Sequence, residues 1–212
     1  MSMSVFIDAN LSISSYLNKY YSSWHQAQTT SSRKDLSENN LTTADATALR
    51  KALKSLQNTT FTSANGGDIY NSLSATITTF NHLMDSTSDS SDQYVSSKRK
   101  QIKQLIQDNS DTFGNLGITM KDNGQLSVDE DVLSGVKVAK VQALFGSDSD
   151  FSSSLENYAH KIQLYEQSHK VISTSFDDSS SSDTSATTSV TSAVTSAVAS
   201  STGVGSVFDS LA

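Results

Sequence analysis

Cysteine and proline are both absent from the 212-residue chain, and glycine occurs only nine times. Without cysteine there can be no disulfide, no thiolate metal site and no thiol nucleophile. Without proline, and with so little glycine, long helices can run uninterrupted, whereas a turn-rich β architecture lacks its usual turn residues. Apolar residues are scarce too, at 35% of the chain against the ~45–50% typical of soluble globular proteins. In their place stand 43 Ser and 21 Thr. One compact core across all 212 residues is not expected, because so little apolar burial cannot offset the ordering entropy. That weighs against a fully packed globular enzyme. Basic charge is short as well: 15 Lys and Arg face 22 Asp and Glu, for a net charge of -7. Nucleic-acid binding rests on clustered positive charge and is not expected. No run approaches the ~20 apolar residues of a membrane span. The first residues, Met1-Ser-Met-Ser-Val-Phe-Ile-Asp8, are followed by no Lys or Arg before Lys19. A general secretory signal is therefore not indicated, which leaves a cytoplasmic protein or one exported by an uncleaved signal.

What is present is helical periodicity in four stretches. Ile13, Leu17, Tyr20, Trp24 and Ala27 recur at steps of four and three, and the polar run 31–40 then interrupts the pattern. Ala46, Leu49, Leu53 and Leu56 form a second stripe, with Thr42 as the expected cap and Asp45 at the positive end of the helix dipole. Ile69, Leu73, Ile77, Phe80 and Met84 form a third, just after Gly66-Gly67, and Val95, Ile102, Leu105, Ile106 and Phe113 a fourth. The polar connection 86–91 is short, so the third and fourth helices are expected to form an antiparallel hairpin. Stripes on helices this polar are expected to remain partly uncovered within one hairpin, which predicts self-association or partner binding.

The middle of the chain predicts a β-hairpin over 116–128, with Asn123-Gly124 as a two-residue turn between short alternating segments. Ser127-Val-Asp-Glu130 reads as a capping box opening a short helix through Leu133. A further helix is expected from Val138 to Phe145, ended by Gly146, and an amphipathic one over 151–172. Of the last 40 residues, 21 are Ser or Thr and none is basic, so a boundary falls at Ser173. The tail 173–212 is expected to be disordered alone and helical on assembly, with Val190, Val194 and Val198 on one stripe. A permanent linker is the alternative. The predicted fold class is mainly α, an antiparallel helical hairpin or coiled coil with a small β-hairpin subdomain and a disordered C-terminal tail. The segments are 1–40 (an export or assembly segment with an amphipathic helix), 41–172 (the helical leg) and 173–212 (the tail).

No constellation of residues compels a chemistry. A calcium loop ending at Glu130 would place Thr119 and Lys121 at its first and third ligand positions, where carboxylates are required. Glu166-Gln-Ser-His169 has a Glu-x-x-His spacing, but its nearest companions, Glu156 and His160, lie on the same element. His25 and His82 sit in separate helices without an evident carboxylate partner. Lys98-Arg99-Lys100 with Lys103 forms a basic cluster, read as a solvated face ahead of a phosphate site. Trp24 with Tyr16, Tyr20 and Tyr21 is either a partner-binding surface or a buried stripe. No catalytic, cofactor-binding or metal-binding residue is assigned, no cofactor is expected, and an enzyme is not.

The run Asn115-Leu-Gly-Ile-Thr-Met-Lys-Asp-Asn-Gly-Gln-Leu-Ser-Val-Asp-Glu-Asp-Val-Leu133, followed by Val141-Gln-Ala-Leu-Phe-Gly146, resembles the C-terminal part of flagellar hook-associated protein 2, the filament cap. Asp68-Ile-Tyr-Asn-Ser-Leu73 is similar to the opening of that family's C-terminal coil, and the stretch from Ala48 to Leu56, ending at Phe61, to the close of its N-terminal coil. The similarity spans roughly 44–170. Where the family inserts large head domains between its coil halves, only about 62–67 stands here, so the chain resembles a cap leg without its head. The resemblance implies a non-enzymatic, flagellum-associated structural protein. It implies uncleaved export through the flagellar type III apparatus and assembly outside the cell. The implied partners are flagellar axial proteins and further copies of the chain, with no nucleic acid and no membrane span. The alternative is a cytoplasmic helical interaction module that regulates flagellar assembly or export.

Overall fold

A computed structural model describes residues 13–176, with side chains placed through His169. The part of the export segment before residue 13 and the expected tail from residue 177 on lie outside the described residues, and the last helix continues to Phe176, past the boundary expected at Ser173. The fold is mainly helical with one small antiparallel sheet. Helix α1 covers 13–20. It is followed by a 3-10 turn at His25–Ala27, then α2 (Thr30–Arg33), α3 (Glu38–Gln57), a second 3-10 turn at Ser63–Asn65, α4 (Gly66–Ser86), α5 (Gln93–Asp108) and α6 (Ser110–Gly114). Strands β1 (Ile118–Met120) and β2 (Leu126–Val128) precede α7 (Glu130–Ser134), α8 (Val138–Phe145) and α9 (Asp150–Phe176).

The centre of the fold is the antiparallel pair α3 and α4. Ala44, Ala48 and Ala52 recur every fourth residue of α3 and are buried with Ala75 of α4, so the small side chains let the two backbones approach closely. The antiparallel sense shows at one end, where Thr42 Oγ1 of α3 donates to Ser86 O at the close of α4. The closest pairing is thus the second stripe with the third, not the third with the fourth; α5 lies against α4 through side chains instead, as where Arg99 Nε reaches Met84 O at 3.3 Å. Helix α3 also starts before the expected cap. It opens at Glu38, so Thr42 lies one turn inside and its hydroxyl is free to join the helix ends.

Each side of the α3–α4 pair is covered. On one side α1 and the following turn bury Tyr20, Tyr21 and Ala27 against the alanine stripe. On the other, Leu49, Leu53 and Leu56 join Leu73, Phe80, Ile102 and Ile162 in the main core. Phe113, Phe145 and Phe151 meet edge to face there, with ring centroids 5.2–6.2 Å apart, a geometry aromatic quadrupoles favour. Leu73 and Phe80 are 0% and 2% exposed. The apolar stripes expected to drive association are therefore largely consumed inside the chain.

The β-hairpin pairs Ile118 with Val128, Thr119 with Ser127 and Met120 with Leu126. Its turn differs from the expected two-residue form. Gly124 N–H donates to Lys121 O, so the turn spans four residues and Gly124 is its last, with φ +87°. Helix α7 is capped by Asp129, whose carboxylate accepts from Val132 N, and not by Ser127, which is paired in the strand. Helix α8 runs from Val138 to Phe145 and stops at Gly146, as its local sequence predicts.

Candidate functional site

The most developed polar cluster lies under α1 and draws on four separate elements. Asp45 falls between Ala44 and Ala46 on the inner side of α3 and is fully buried. A lone carboxylate there would be strongly destabilising, so the fold supplies a cation. Arg33, at the end of α2, donates Nη1 to Asp45 Oδ1 and Nη2 to Oδ2, both at 2.8 Å, in a fork that suits a carboxylate. Its Nη1 also reaches Ala27 O at 2.8 Å, which ties down the preceding turn. Tyr21 donates its hydroxyl to Asp45 Oδ1 at 2.8 Å and contacts His82 Nδ1 of α4 at 2.8 Å. The hydroxyl has one proton, given to the carboxylate, so it accepts the second bond from a His82 Nδ1–H.

Electrostatics follow from this arrangement. Burial, and then the charge and hydrogen bond of Asp45, hold the Tyr21 hydroxyl far above the ordinary tyrosine range. Burial, and then the Arg33 charge, lower the His82 pKa, which favours the neutral ring, with its proton on Nδ1. The combination of tyrosine, histidine and carboxylate has the members of a proton relay but not its openness. Every Asp45 oxygen is engaged by Arg33 or Tyr21, and the tyrosine resists ionisation. The cluster fixes the N-terminal segment to the helix pair.

A second cluster gathers where the α4–α5 connection meets α9. Asp92 caps α5, accepting from Tyr94 N at 2.7 Å and Val95 N at 3.2 Å, and it accepts the Tyr165 hydroxyl as well. Burial would raise the Asp92 pKa, but these donors outweigh it and lower it. The Tyr165 hydroxyl is pushed up to about 12, by the Asp92 hydrogen bond first. Tyr94 and Tyr165 stack at 4.4 Å, His169 lies 4.0 Å from Tyr165, and Lys98 Nζ sits 5.2 Å from the Tyr94 ring. Glu166 is buried beside them, and desolvation, followed by the charges of Asp92 and Glu38, raises its pKa.

The remaining candidates resolve individually. Lys98 lies over aromatic rings, whereas Arg99 Nη2 and Lys103 Nζ grip the β-turn through Asn123 O at 2.7 Å and Asp122 O at 3.2 Å. Thus part of the basic cluster is a clamp for the hairpin and not simply a solvated face. Glu156 pairs with Arg50 Nε at 2.8 Å. Buried Tyr20 and Tyr21, with Trp24 and Tyr16 packed against them, form a buried stripe and not a free aromatic surface. His25 lies in the 3-10 turn and His160 is half-buried on α9. Among the described residues no group of three or more His, Asp or Glu is placed to hold a metal ion. None of their helices is long and apolar enough to cross a membrane. No family model, curated protein or solved structure matches the chain.

Proposed function

We propose that this chain is a non-enzymatic structural protein of the bacterial flagellum, built like the leg of a filament cap without its head. The observation that carries this is the closure of α3 on α4. The two helices form one antiparallel pair joined by residues 58–65, at the point where the resembling family inserts its head domains. The segment with the most specific resemblance, 116–145, supports it further, because Leu116, Ile118, Leu126, Leu133 and Phe145 all enter the core shared with that pair. The polar clusters act as fasteners between elements, which suits a load-bearing part. In this role the chain leaves the cell uncleaved through the flagellar export apparatus and binds flagellin, hook-associated proteins or further copies of itself.

The test is to follow the protein in culture medium and in sheared filaments, in strains with and without the export apparatus. Apparatus-dependent appearance in both fractions is expected. Retention inside the cell in both strains would sink the structural role and favour a cytoplasmic regulator of assembly.

A further inference from the structure

Asn-Gly occurs twice, at 65–66 and 123–124, and the fold treats the two pairs differently. This dipeptide is prone to spontaneous deamidation because glycine leaves the next backbone nitrogen uncrowded. That nitrogen gives up its proton and bonds to the asparagine Cγ. The Cγ–Nδ2 bond breaks, and the amide leaves as ammonia with the proton. Water then opens the succinimide at either carbonyl, giving an aspartyl or an isoaspartyl residue. The reaction needs the carboxamide to swing onto the backbone, a mobile glycine amide, and access to water.

At Asn123 the fold opposes each requirement except water. Nδ2 donates to Gln125 Oε1 at 2.8 Å, and Oδ1 accepts from Gln125 N at 3.0 Å. The Gly124 amide donates to Lys121 O at 2.8 Å, and Arg99 holds the Asn123 carbonyl. Gly124 is also wedged: a Cβ there would lie 2.8 Å from Met84 Cε. At Asn65 the restraints are weaker. Its Nδ2 donates to Thr60 O at 3.2 Å. The Gly66 amide donates to Ser63 O, but a Cβ on Gly66 or Gly67 would meet nothing within 4 Å. Rotation about 65–66 therefore disturbs only a 3-10 turn and the first turn of α4, whereas rotation about 123–124 must break the clamp to α5.

We propose that Asn65 is a spontaneous deamidation site of the folded protein, and that Asn123, equivalent in sequence, is held inert by its turn. The modification places a carboxylate at the N-cap of α4, and in the isoaspartyl form it adds a backbone methylene to the link between α3 and α4.

Full-length protein is incubated at mildly alkaline pH, folded or in guanidinium chloride, and peptides containing each site are resolved by mass and chromatography. In the folded protein, position 65 should convert at least several-fold faster than 123, and in denaturant the two should converge. Gly66→Ala crowds the attacking nitrogen while fitting the helical φ of -55°, so it should slow conversion at 65 several-fold and leave 123 unchanged. Arg99→Ala should speed conversion at 123 alone. Equal rates at the two sites in the folded protein, or a faster rate at 123, would overturn the proposal, as would a folded Gly66→Ala protein that converts at 65 like the parent.

Discussion

Arg33 and Asp45 meet in a two-pronged ion pair, both prongs 2.8 Å long, with the carboxylate fully buried and the guanidinium almost so. Twelve residues separate them, and their contact joins α2 to the inner face of α3. Removing one member strands the other's charge, which costs ~3–5 kcal/mol for a buried pair. Asp45→Ala should therefore cost about that much in urea unfolding. The double variant Arg33→Met with Asp45→Leu, which removes both charges, should recover much of the loss. A double variant as unstable as Asp45→Ala would show that shape, not charge pairing, dominates there.

His82 makes the same cluster sensitive to acid. Its pKa is lowered from an ordinary 6.5 by burial and by Arg33, so the folded chain prefers the neutral ring. The unfolded chain takes up a proton first, and stability therefore falls as pH drops below about 6.5 until the folded ring is protonated too. His82→Asn should remove this part of the dependence. Thermal melts between neutral and mildly acidic pH measure it directly, and an identical slope in parent and variant would exclude His82 as its source.

Local features of the sequence were legible and distant ones were not. The Leu49, Leu53 and Leu56 stripe and the span of α8 up to Gly146 follow from spacing and a nearby stop residue. The Arg33, Asp45, Tyr21 and His82 cluster spans sequence separations of up to 61 residues, and no local pattern announces it. Thr42 and Asp45 even imitate a helix start, because the same residue types that cap helices also satisfy buried polar sites. The missed signal was Asp45 lying between Ala44 and Ala46: a carboxylate on a stripe of small buried residues requires a donor from elsewhere. The pairing of α3 with α4 was likewise obscured. Alanines carry little weight in an apolar stripe, yet they set how near two helices can come.

The hairpin tolerates no side chain at Gly124, the last residue of its turn, or at Gly117, just before β1. Gly124 has φ +87° and Gly117 φ +72°, and a Cβ at 117 would lie 2.8 Å from Val132 Cβ. Gly124→Val and Gly117→Ala should each cost more than the ~1 kcal/mol of an average substitution, because left-handed strain adds to the clash. Calcium should leave the melting temperature of the parent unchanged, since Lys121 occupies the position where a loop would need a carboxylate. A calcium-dependent rise of several degrees would contradict the turn as described.

Ala48 tests the close approach of α3 and α4. It is 0% exposed in the alanine stripe against Tyr20, Tyr21 and Ala75. Ala48→Leu adds volume that the pair can take up only by separating, and overpacking of this kind costs ~1–3 kcal/mol. Ala48→Gly should destabilise as well, through helix propensity, by ~1 kcal/mol. Loss in both directions would mark the site as filled; a stabilised Leu variant would mean that space remains between the helices.

Glu166 offers the opposite case, a residue whose replacement should strengthen the fold. Its carboxyl is buried on α9 near Asp92 and Glu38, and its pKa is raised above an ordinary 4.5 by desolvation first and by those charges second. An acid with a raised folded pKa is held best when protonated, so its contribution is most favourable below about 4.5 and is lost as pH climbs through the folded value. At neutral pH the ionised group is a burden that the charge of His169, which lowers the pKa, only partly relieves. Glu166→Gln keeps the shape and removes the charge. It should raise the melting temperature at neutral pH and leave it nearly unchanged where the parent carboxyl is already protonated. A variant that melts lower at neutral pH would show instead that the ionised carboxylate serves as a fastener between α9 and its neighbours, as Asp45 does beneath α1.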